Sequence, residues 1–268
     1  MKVVVCVKQT PSTTAVFSVQ NGNVRWDDPG GNKPNVVNPW DEYAIEEAIR
    51  LQEKHGGQAI ALTMGSEESK EALKTALAMG CTEAVLVADE AFEGSDTLGT
   101  AHVLAAAIRH QQDVQVAVFG KQAIDGDTGQ TTIQVAVKLG WTPLTFVSEI
   151  KELDPDAGTI TVERLLEGGK EIVSSRLPVV ISVVKEINEP RYPSFMGIRK
   201  ANRAEIPTLT AADLDLDAGS AGKAASKVDW ANVYELPPRD TSVEIIEGDT
   251  VEEKVKKLAE RLLAEKVI

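Results

Sequence analysis

The strongest candidate for chemistry is a loop over residues 120–131, which follows an apolar strand pattern and leads into an apolar helix pattern. Gly126 and Gly129 allow the backbone to approach a ligand closely. The N–H groups at the start of the following helix, together with the hydroxyls of Thr128 and Thr131, suit a phosphate group. The loop is neither a P-loop nor a GxGxxG motif, so nucleotide binding and a plain capped turn are both open interpretations.

Three charged residues of the same loop fit the first interpretation in different ways. Lys121 adds positive charge beside the expected phosphate. Asp125 and Asp127 do not suit an anion, but one of them can cap the helix and the other can bind a ribose hydroxyl.

A second loop, residues 93–100, also connects a strand pattern to a helix pattern. Ser95, Thr97 and Thr100 can present hydroxyls to a ligand, and the helix N-terminus favours an anion. Ser95 and Asp96 are also good helix caps, so a capped helix with small packing residues is the competing interpretation.

The residues that acid–base and metal chemistry use are scarce in this sequence. Cys6 and Cys81 lie far apart in or beside apolar strand patterns, and no CxxC motif is present. They are expected to be small buried residues in a reducing compartment. His55, His102 and His110 fall in or at the ends of helix patterns without a neighbouring Cys or His. We therefore expect no metal site and no catalytic side chain.

Net charge and hydropathy exclude several classes of partner. The net charge of -13 disfavours nucleic acid and anionic membranes, because both attract positive surfaces. No apolar run of about 18 residues is present, so no membrane-spanning helix is expected. The short apolar N-terminus lacks a cleavage site and resembles a buried strand, which predicts a cytoplasmic protein.

The first half of the chain alternates short apolar segments with amphipathic ones. The predicted strands are 2–7, 58–64, 83–88 and 114–120, and the predicted helices are 41–53, 67–79, 96–110 and 128–139. Continuous apolar strands of this kind are typical of parallel sheets buried on both faces. The alternation predicts an α/β fold with a right-handed, doubly wound, mainly parallel sheet.

Ligands of doubly wound sheets bind beyond the carboxyl ends of the strands. Besides the loop at 120–131, three segments are expected there: residues 8–11, residues 37–41 and residues 63–66.

The pattern changes near residue 150. Segments 159–166 and 170–177 flank a Glu-Gly-Gly turn and predict a hairpin, which is followed by a strand at 177–184. We predict a nucleotide-binding α/β domain over 1–187 with a hairpin insertion at about 157–177. Residues 207–268 are predicted to form an arm that ends in an amphipathic helix at 250–266. That helix either packs on a partner subunit or folds back on its own domain.

Residues 188–206 form the predicted loop between domain and arm. Phe195 and Met196 are apolar residues in a polar, proline-rich segment. The basic residues of this acidic protein that gather around them are Arg191, Arg199, Lys200 and Arg203. An apolar anchor surrounded by charge is typical of a docking surface, and a buried loop that crosses the sheet edge is the alternative.

Together these segments resemble the beta subunits of electron-transferring flavoproteins. The similar stretches are Val5-Cys6-Val7-Lys8-Gln9, Asn38-Pro39-Trp40-Asp41 with Ala44-Ile45-Glu46-Glu47-Ala48, Ala76-Leu77-Ala78-Met79-Gly80, residues 120–131, and Asn188-Glu189-Pro190-Arg191-Tyr192. They keep the order of the family and cover nearly the whole chain.

The resemblance implies an electron-carrier subunit without catalysis of its own, in a heterodimer with a larger alpha subunit. The fold would be the adenine-nucleotide hydrolase-like, Rossmann-like variant of the doubly wound sheet, with the C-terminal arm wrapped around the partner. The redox FAD would lie mainly on alpha. Electrons would come from acyl-CoA dehydrogenase-type donors or NADH and pass to a quinone oxidoreductase or ferredoxin. Beta would hold a second nucleotide, which is AMP in one branch and an electron-bifurcating FAD in the other.

The resemblance also implies roles for particular residues. The expected nucleotide contacts are Cys6, Asn38, Pro39, Trp40, Asp41, Met64, Gly120, Lys121, Gln122, Ala123, Ile124, Asp125, Gly126, Asp127, Thr128, Gly129, Gln130 and Thr131. In the FAD branch, Asp96, Thr97 and Thr100 would face the diphosphate. The expected docking residues are Glu189, Arg191, Tyr192, Phe195, Met196, Arg199 and Lys200.

The branch is predicted from the small and hydroxyl-bearing residues. Gly126, Thr128, Thr97 and Thr100 leave room and donors for a pyrophosphate, which favours a second FAD. Segment 188–194 is more similar to the AMP-binding branch, and Thr131-Thr132-Ile133 departs from the Val-Gly-Pro that is common in bifurcating members. Two rival functions use the same fold: a non-redox adenine-nucleotide-binding module, and an ATP-pyrophosphatase, whose SGGxDS-like loop is missing at residues 8–11.

Overall fold

Apolar segments of the first half form the central strands of one sheet, and the segments between them form helices. A computed structural model describes residues 1–27, 35–217, 219–237 and 242–268. The strands are β1 (Lys2–Cys6), β2 (Gln9–Pro11), β3 (Val16–Gln20), β4 (Asn23–Asp27), β5 (Asn35–Val37), β6 (Gln58–Met64), β7 (Glu83–Val87), β8 (Val116–Gly120), β9 (Thr142–Asp154), β10 (Thr159–Leu166), β11 (Gly169–Arg176), β12 (Val179–Val183) and β13 (Thr208–Leu209). The helices are α1 (Pro39–His55), α2 (Lys70–Met79), α3 (Thr97–His110), α4 (Thr131–Leu139), α5 (Phe195–Ala201), α6 (Gly222–Ala225) and α7 (Val251–Ala264).

The main sheet has the strand order β11-β10-β9-β12-β8-β1-β6-β7-β13. Pairing is parallel from β9 to β13, whereas β10 is antiparallel to both β9 and β11. The prediction of an α/β, doubly wound, mainly parallel sheet is therefore confirmed. The predicted hairpin is also present, and it extends this sheet at one edge.

Both faces of the sheet are covered by helices. Val3 and Val5 of β1 pack in one cluster with α1 and α2, and Val4 and Cys6 pack in another with α3 and α4. Because successive side chains of a strand point to opposite faces, a strand covered on both faces must be apolar at every position. This is why the buried strands have continuous apolar sequences.

Two predicted helix ends are confirmed in detail. The Asp96 side chain accepts a hydrogen bond from the Gly99 N–H and caps α3. Gly80 ends α2 with a φ of 140°, a conformation that favours glycine.

The helix predicted at 128–139 begins three residues later, at Thr131. Asp127 and Gly129 have φ values of 53° and 59°, which are incompatible with a right-handed helix. The predicted helix at 67–79 is likewise shorter, since a 3₁₀ turn at Glu67–Ser69 precedes α2. Helix α1 starts earlier than predicted because Pro39 suits its first position.

Several elements were not predicted, including the long strand β9 and the short helix α5. The strand β9 is missing from the prediction because its buried and exposed positions are mixed, without a continuous apolar run. Within the predicted loop at 188–206, α5 forms because Ser194 caps it and because Gly197 allows it to approach α2. A Cβ atom at Gly197 would lie 2.2 Å from the Ala78 carbonyl oxygen.

The predicted arm at 207–268 is divided between two compact units, Met1–Asn232 and Val233–Ile268. In the first unit, β13 pairs with β7, and Leu214 is buried with 8% of its surface exposed. The Ala211 N–H donates to Asp89 at 3.0 Å, and the Gly222 N–H donates to Ser95 at 2.8 Å. Polar groups of the loops therefore hold this part of the predicted arm on the first unit. The polar composition of the segment does not predict that packing.

The second unit contains α7, which Thr250 caps. Its predicted apolar stripe is present, and Val251, Val255, Leu258 and Leu263 are exposed. Residues 218 and 238–241 of the predicted arm lie outside the described residues. Packing of the arm on a partner stays a prediction.

Substitution of Leu214 tests the packing of residues 207–227 on the sheet. Leu214→Ala should lower the free energy of unfolding by about 2 kcal/mol, because it removes buried apolar surface and leaves a cavity. Urea denaturation followed by circular dichroism measures this change. The control, Leu236→Ala at an exposed position, should change it by less than about 0.5 kcal/mol. Equal effects of the two variants would contradict the packing.

Candidate functional site

The order of the strands creates a crevice at the centre of the sheet. From β1 the chain proceeds outward through β6 and β7, and α3 then returns it to β8 on the other side of β1. The carboxyl ends of β1 and β8 are thus neighbours at a topological switch point, the usual place for ligands in this class of fold. The predicted segments at 8–11, 37–41 and 120–131 all start or end here.

A buried carboxylate holds the two strand ends together. Asp41, in the first turn of α1, accepts hydrogen bonds from the Lys8 N–H at 2.7 Å and from the Gly120 N–H at 3.2 Å. Gly120 is required by this contact, because a Cβ atom there would lie 2.4 Å from the Asp41 Oδ1 atom. Asp41 thereby connects α1, β1 and β8.

Asn38 makes a second connection between the same loops. Its backbone N–H donates to the Lys8 carbonyl at 2.8 Å. Its side chain donates to the Gln122 carbonyl at 2.8 Å and accepts from the Ile124 N–H at 3.2 Å. The polar side-chain atoms of Asn38 and Asp41 are thus bound within the protein, and in the predicted nucleotide site these two residues position the loops.

Two lysines lie at the mouth of the crevice. The Lys8 ammonium binds both oxygens of Asp125 at 2.7–2.8 Å. The Lys121 ammonium lies 5.2 Å from the centre of the Trp40 ring and 5.9 Å from that of Phe146. The sequence analysis did not identify Phe146, because it lies on the unpredicted strand β9. Lys121 therefore presents a cation at the crevice, whereas the charge of Lys8 is paired with that of Asp125.

The outer part of the 120–131 loop is open. Residues 125–128 are exposed, and no atom lies within 4 Å of the Cβ position at Gly126. No side chain caps the N-terminus of α4, whose cap residue is Gln130. The cap residue of α4 thus leaves the first N–H groups of this helix without a side-chain partner, and the helix dipole favours an anion there.

The second predicted loop contacts the first. The Thr97 hydroxyl and the Gln130 side-chain oxygen are 3.5 Å apart. Thr100 lies one turn further along α3, where it is half-buried. Asp96 differs from these residues, because its carboxylate already accepts the N–H groups of Gly99 and Lys227. The structure thus brings the Thr97 hydroxyl beside the cap residue of α4, and Asp96 caps the start of α3.

The remaining predicted contacts lie at strand ends, in loops and at helix starts. Cys6 ends β1 and is buried, and burial followed by the charge of Asp41 raises the pKa of its thiol well above the usual value. Met64 ends β6 and is half-buried. The other predicted contacts are placed in the same loop and helix starts: Pro39 and Trp40 in the first turn of α1, and Ala123, Thr128, Gly129 and Thr131 along the 120–131 segment.

The predicted docking residues fall into two groups. Tyr192 and Phe195 are 93% and 80% exposed, and Met196, Arg199, Lys200 and Glu189 are exposed too. Arg191 instead binds Glu46 and Glu53 of α1.

Comparison with known proteins identifies the family. Residues 31–214 match the model of the electron transfer flavoprotein domain. The chain belongs to the electron transfer flavoprotein family. The resemblance described from the sequence is thereby confirmed.

Relatives of this family match over nearly their entire lengths. The electron transfer flavoprotein subunit beta of Thermoanaerobacterium thermosaccharolyticum is 39% identical, with 100% of both chains covered. The caffeyl-CoA reductase-Etf complex subunit CarD of Acetobacterium woodii is 35% identical, again with 100% of both chains covered. Protein FixA of Azotobacter vinelandii is 36% identical over 98% of this chain and 94% of its own.

Neither a membrane-spanning helix nor a cluster of metal ligands occurs among the described residues of this electron transfer flavoprotein chain. None of its described helices combines the length and the apolar character that crossing a membrane requires. In the same part of the chain, no group of three or more His, Cys, Asp or Glu residues could hold a metal ion.

The pKa of Asp41 gives a pH-dependent test of the connection at the switch point. Burial raises this pKa to about 7, and the hydrogen bonds from Lys8, Asn38 and Gly120 offset only part of that effect. Because the unfolded pKa is about 3.9, the folded state retains a proton that the unfolded state loses as the pH rises. The contribution of Asp41 to stability should therefore decrease between about pH 4 and pH 7.

The measurement is the free energy of unfolding of wild type and Asp41→Asn across this pH range. The advantage of wild type over the variant should shrink as the pH rises, since Asn does not titrate. An advantage that grows with pH would contradict the prediction, because it would mean that the hydrogen bonds outweigh burial.

Proposed function

We propose that this chain is the beta subunit of a heterodimeric electron-transferring flavoprotein. An alpha subunit would hold most of the redox FAD, and the dimer would accept electrons from an acyl-CoA dehydrogenase-type donor or NADH. A quinone oxidoreductase or ferredoxin would receive them, in the cytoplasm. The family membership and the full-length match to chains named subunit beta support this proposal.

The second part of the proposal is that the crevice holds a nucleotide. The observation that carries it is the contact of the two hydroxyl-bearing loops at Thr97 and Gln130, beside the uncapped start of α4. The α4 N–H groups and the hydroxyls of Thr128 and Thr131 would bind phosphate. The ammonium group of Lys121 favours an anion here.

We favour FAD over AMP for this position. One phosphate needs only the α4 end of the crevice, whereas a diphosphate would also use the hydroxyls of Thr97 and Thr100. The carboxylate of Asp96 already occupies the α3 cap, so the α3 backbone is less suited to a phosphate than the α4 backbone. The support for the larger ligand is the Thr97 hydroxyl, which contacts the α4 cap residue Gln130.

The residues of this chain would bind and position, and they would not break bonds. A flavin, when bound, supplies one- and two-electron redox chemistry. Asn38 and Asp41 hold the loops in place, and the thiol of Cys6 is buried with a raised pKa, which makes it a poor nucleophile. This supports an electron carrier over an enzyme that forms covalent intermediates.

The docking surface is proposed to consist of Tyr192, Phe195 and Met196, with Arg199 and Lys200 beside them. Three large exposed apolar side chains next to two cations fit a partner with an apolar pocket and an acidic rim. Glu189 would belong to the edge of this surface.

The number of nucleotides per heterodimer tests the proposal. The chain is purified with its alpha partner, the complex is denatured, and the released FAD and AMP are counted by chromatography. Two FAD are expected and would support NADH-driven bifurcation. One FAD and one AMP would contradict the choice of FAD for beta, and no flavin would contradict the proposed function.

Gly126→Val localises the beta nucleotide in the same assay. The position is open, so the variant should fold normally, but its side chain would enter the space given to the ligand. We expect the beta nucleotide to be lost and the FAD of alpha to remain. Gly168→Val is the matched control, because it is equally open but lies in the turn between β10 and β11. Equal nucleotide content in both variants would exclude the 120–131 loop as the site.

A further inference from the structure

Side-chain hydrogen bonds attach residues 188–191 to α1. This segment lies immediately before the exposed docking residues in the chain. The Arg191 Nε atom donates to Glu46 at 2.8 Å, and its backbone N–H donates to the same carboxylate at 3.2 Å. The two terminal nitrogens of Arg191 donate to Glu53 at 2.7 and 3.0 Å. One guanidinium thus joins two acidic residues two turns apart on α1.

Neighbouring residues strengthen this attachment. The Asn188 side chain donates to the Tyr43 carbonyl and to Glu47, both at 3.0 Å. Arg50 donates to Glu46 at 2.7 Å and to the Glu189 carbonyl at 3.4 Å. We call the set Glu46, Glu53, Asn188 and Arg191 the α1 clamp.

Burial distinguishes the clamp from a surface ion pair. Glu46 is only 2% exposed, so its charge depends on the partners that the clamp supplies. Burial acts to raise the pKa of Glu46, but the hydrogen bonds from Arg191 and Arg50 lower it overall. Bidentate, charge-assisted hydrogen bonds of this kind fix direction as well as distance.

Arg191 of the α1 clamp lies directly before the proposed docking residues Tyr192 and Phe195 in the chain. Tyr192 follows Arg191 directly and is almost fully exposed, and Phe195 begins α5 three residues later. Beyond them, Gly197 packs against α2. The exposed residues 192–196 are therefore held at one end by α1 and at the other by α2.

We propose that Arg191 is a positioning residue, which acts through the α1 clamp to hold Tyr192 and Phe195 in the orientation that the electron-transfer partner binds. This inference rests on the proposed docking surface. It changes the role of Arg191, which the sequence analysis placed among the docking residues themselves. An arginine whose guanidinium is bound to two carboxylates of its own chain has few donors left for a partner.

A double-mutant cycle separates positioning from direct contact. The variants are Arg191→Met, Phe195→Ala and the double variant, each purified as the complete heterodimer. Electron transfer from a reduced acyl-CoA dehydrogenase is measured as a function of dehydrogenase concentration. Each single variant should raise KM about tenfold, which corresponds to 1.4 kcal/mol of binding free energy, with kcat and the flavin spectrum unchanged.

If Arg191 acts by placing Phe195, the double variant should be no worse than Phe195→Ala alone, because coupled residues are not additive. Additive effects would overturn the inference and show that Arg191 contacts the partner. An effect of Phe195→Ala without an effect of Arg191→Met would overturn it too. If Phe195→Ala itself has no effect, the proposed docking surface is wrong, and the inference fails with it.

Two further variants control for charge and folding. Arg191→Lys keeps the charge but cannot reach both carboxylates in a fork, so it should restore KM only in part. Arg176→Ala removes one exposed positive charge from β11 and should leave KM unchanged.

Hydrogen exchange should be faster in residues 188–196 of Arg191→Met, with α1 as protected as in wild type. Unchanged exchange in that segment would overturn the proposed positioning.

Discussion

The hydrogen bonds of the Asp41 carboxylate with the N–H groups of Lys8 and Gly120 govern the geometry of the crevice. At a topological switch point the chain leaves two neighbouring strands in different directions, and sheet hydrogen bonding no longer holds the strand ends. A charged or hydrogen-bonding group is required to keep them together. Asp41 does so from the first turn of α1, and Asn38 adds the next layer of contacts. The cost is a carboxylate with little access to water.

Helix α1 also holds the segment that precedes the proposed docking surface. The first turn of α1 holds the loops of the crevice, and its later turns hold residues 188–191 through Glu46, Glu47 and Glu53. A helix of 17 residues is a rigid element about 25 Å long. Glu46 and Glu47 of this helix are buried and bound to residues 188–191, although acidic residues on a helix usually indicate a solvated surface.

The sequence predicts those features that depend on short stretches of chain. The strands β1, β6, β7 and β8 follow from continuous apolar runs, and the caps at Asp96 and Gly80 follow from single residue types. The start of α4 could not be predicted, because it depends on the φ values of Asp127 and Gly129. The contact of Arg191 with Glu46 could not be predicted either, since the two residues lie 145 positions apart along the chain. Contacts over such separations leave no periodic pattern in the sequence.

The two cysteines have a consequence for the redox selectivity of the protein. Only the thiolate form of cysteine reacts readily with oxidants and disulfides. Cys6 and Cys81 are both buried, and burial raises the pKa of Cys81 to about 12 and that of Cys6 well above its usual value. Both thiols therefore stay protonated at physiological pH. The sulfur atoms of Cys6 and Cys81 are therefore poor targets for oxidants and disulfides, and neither thiol is suited to exchange electrons with a bound flavin.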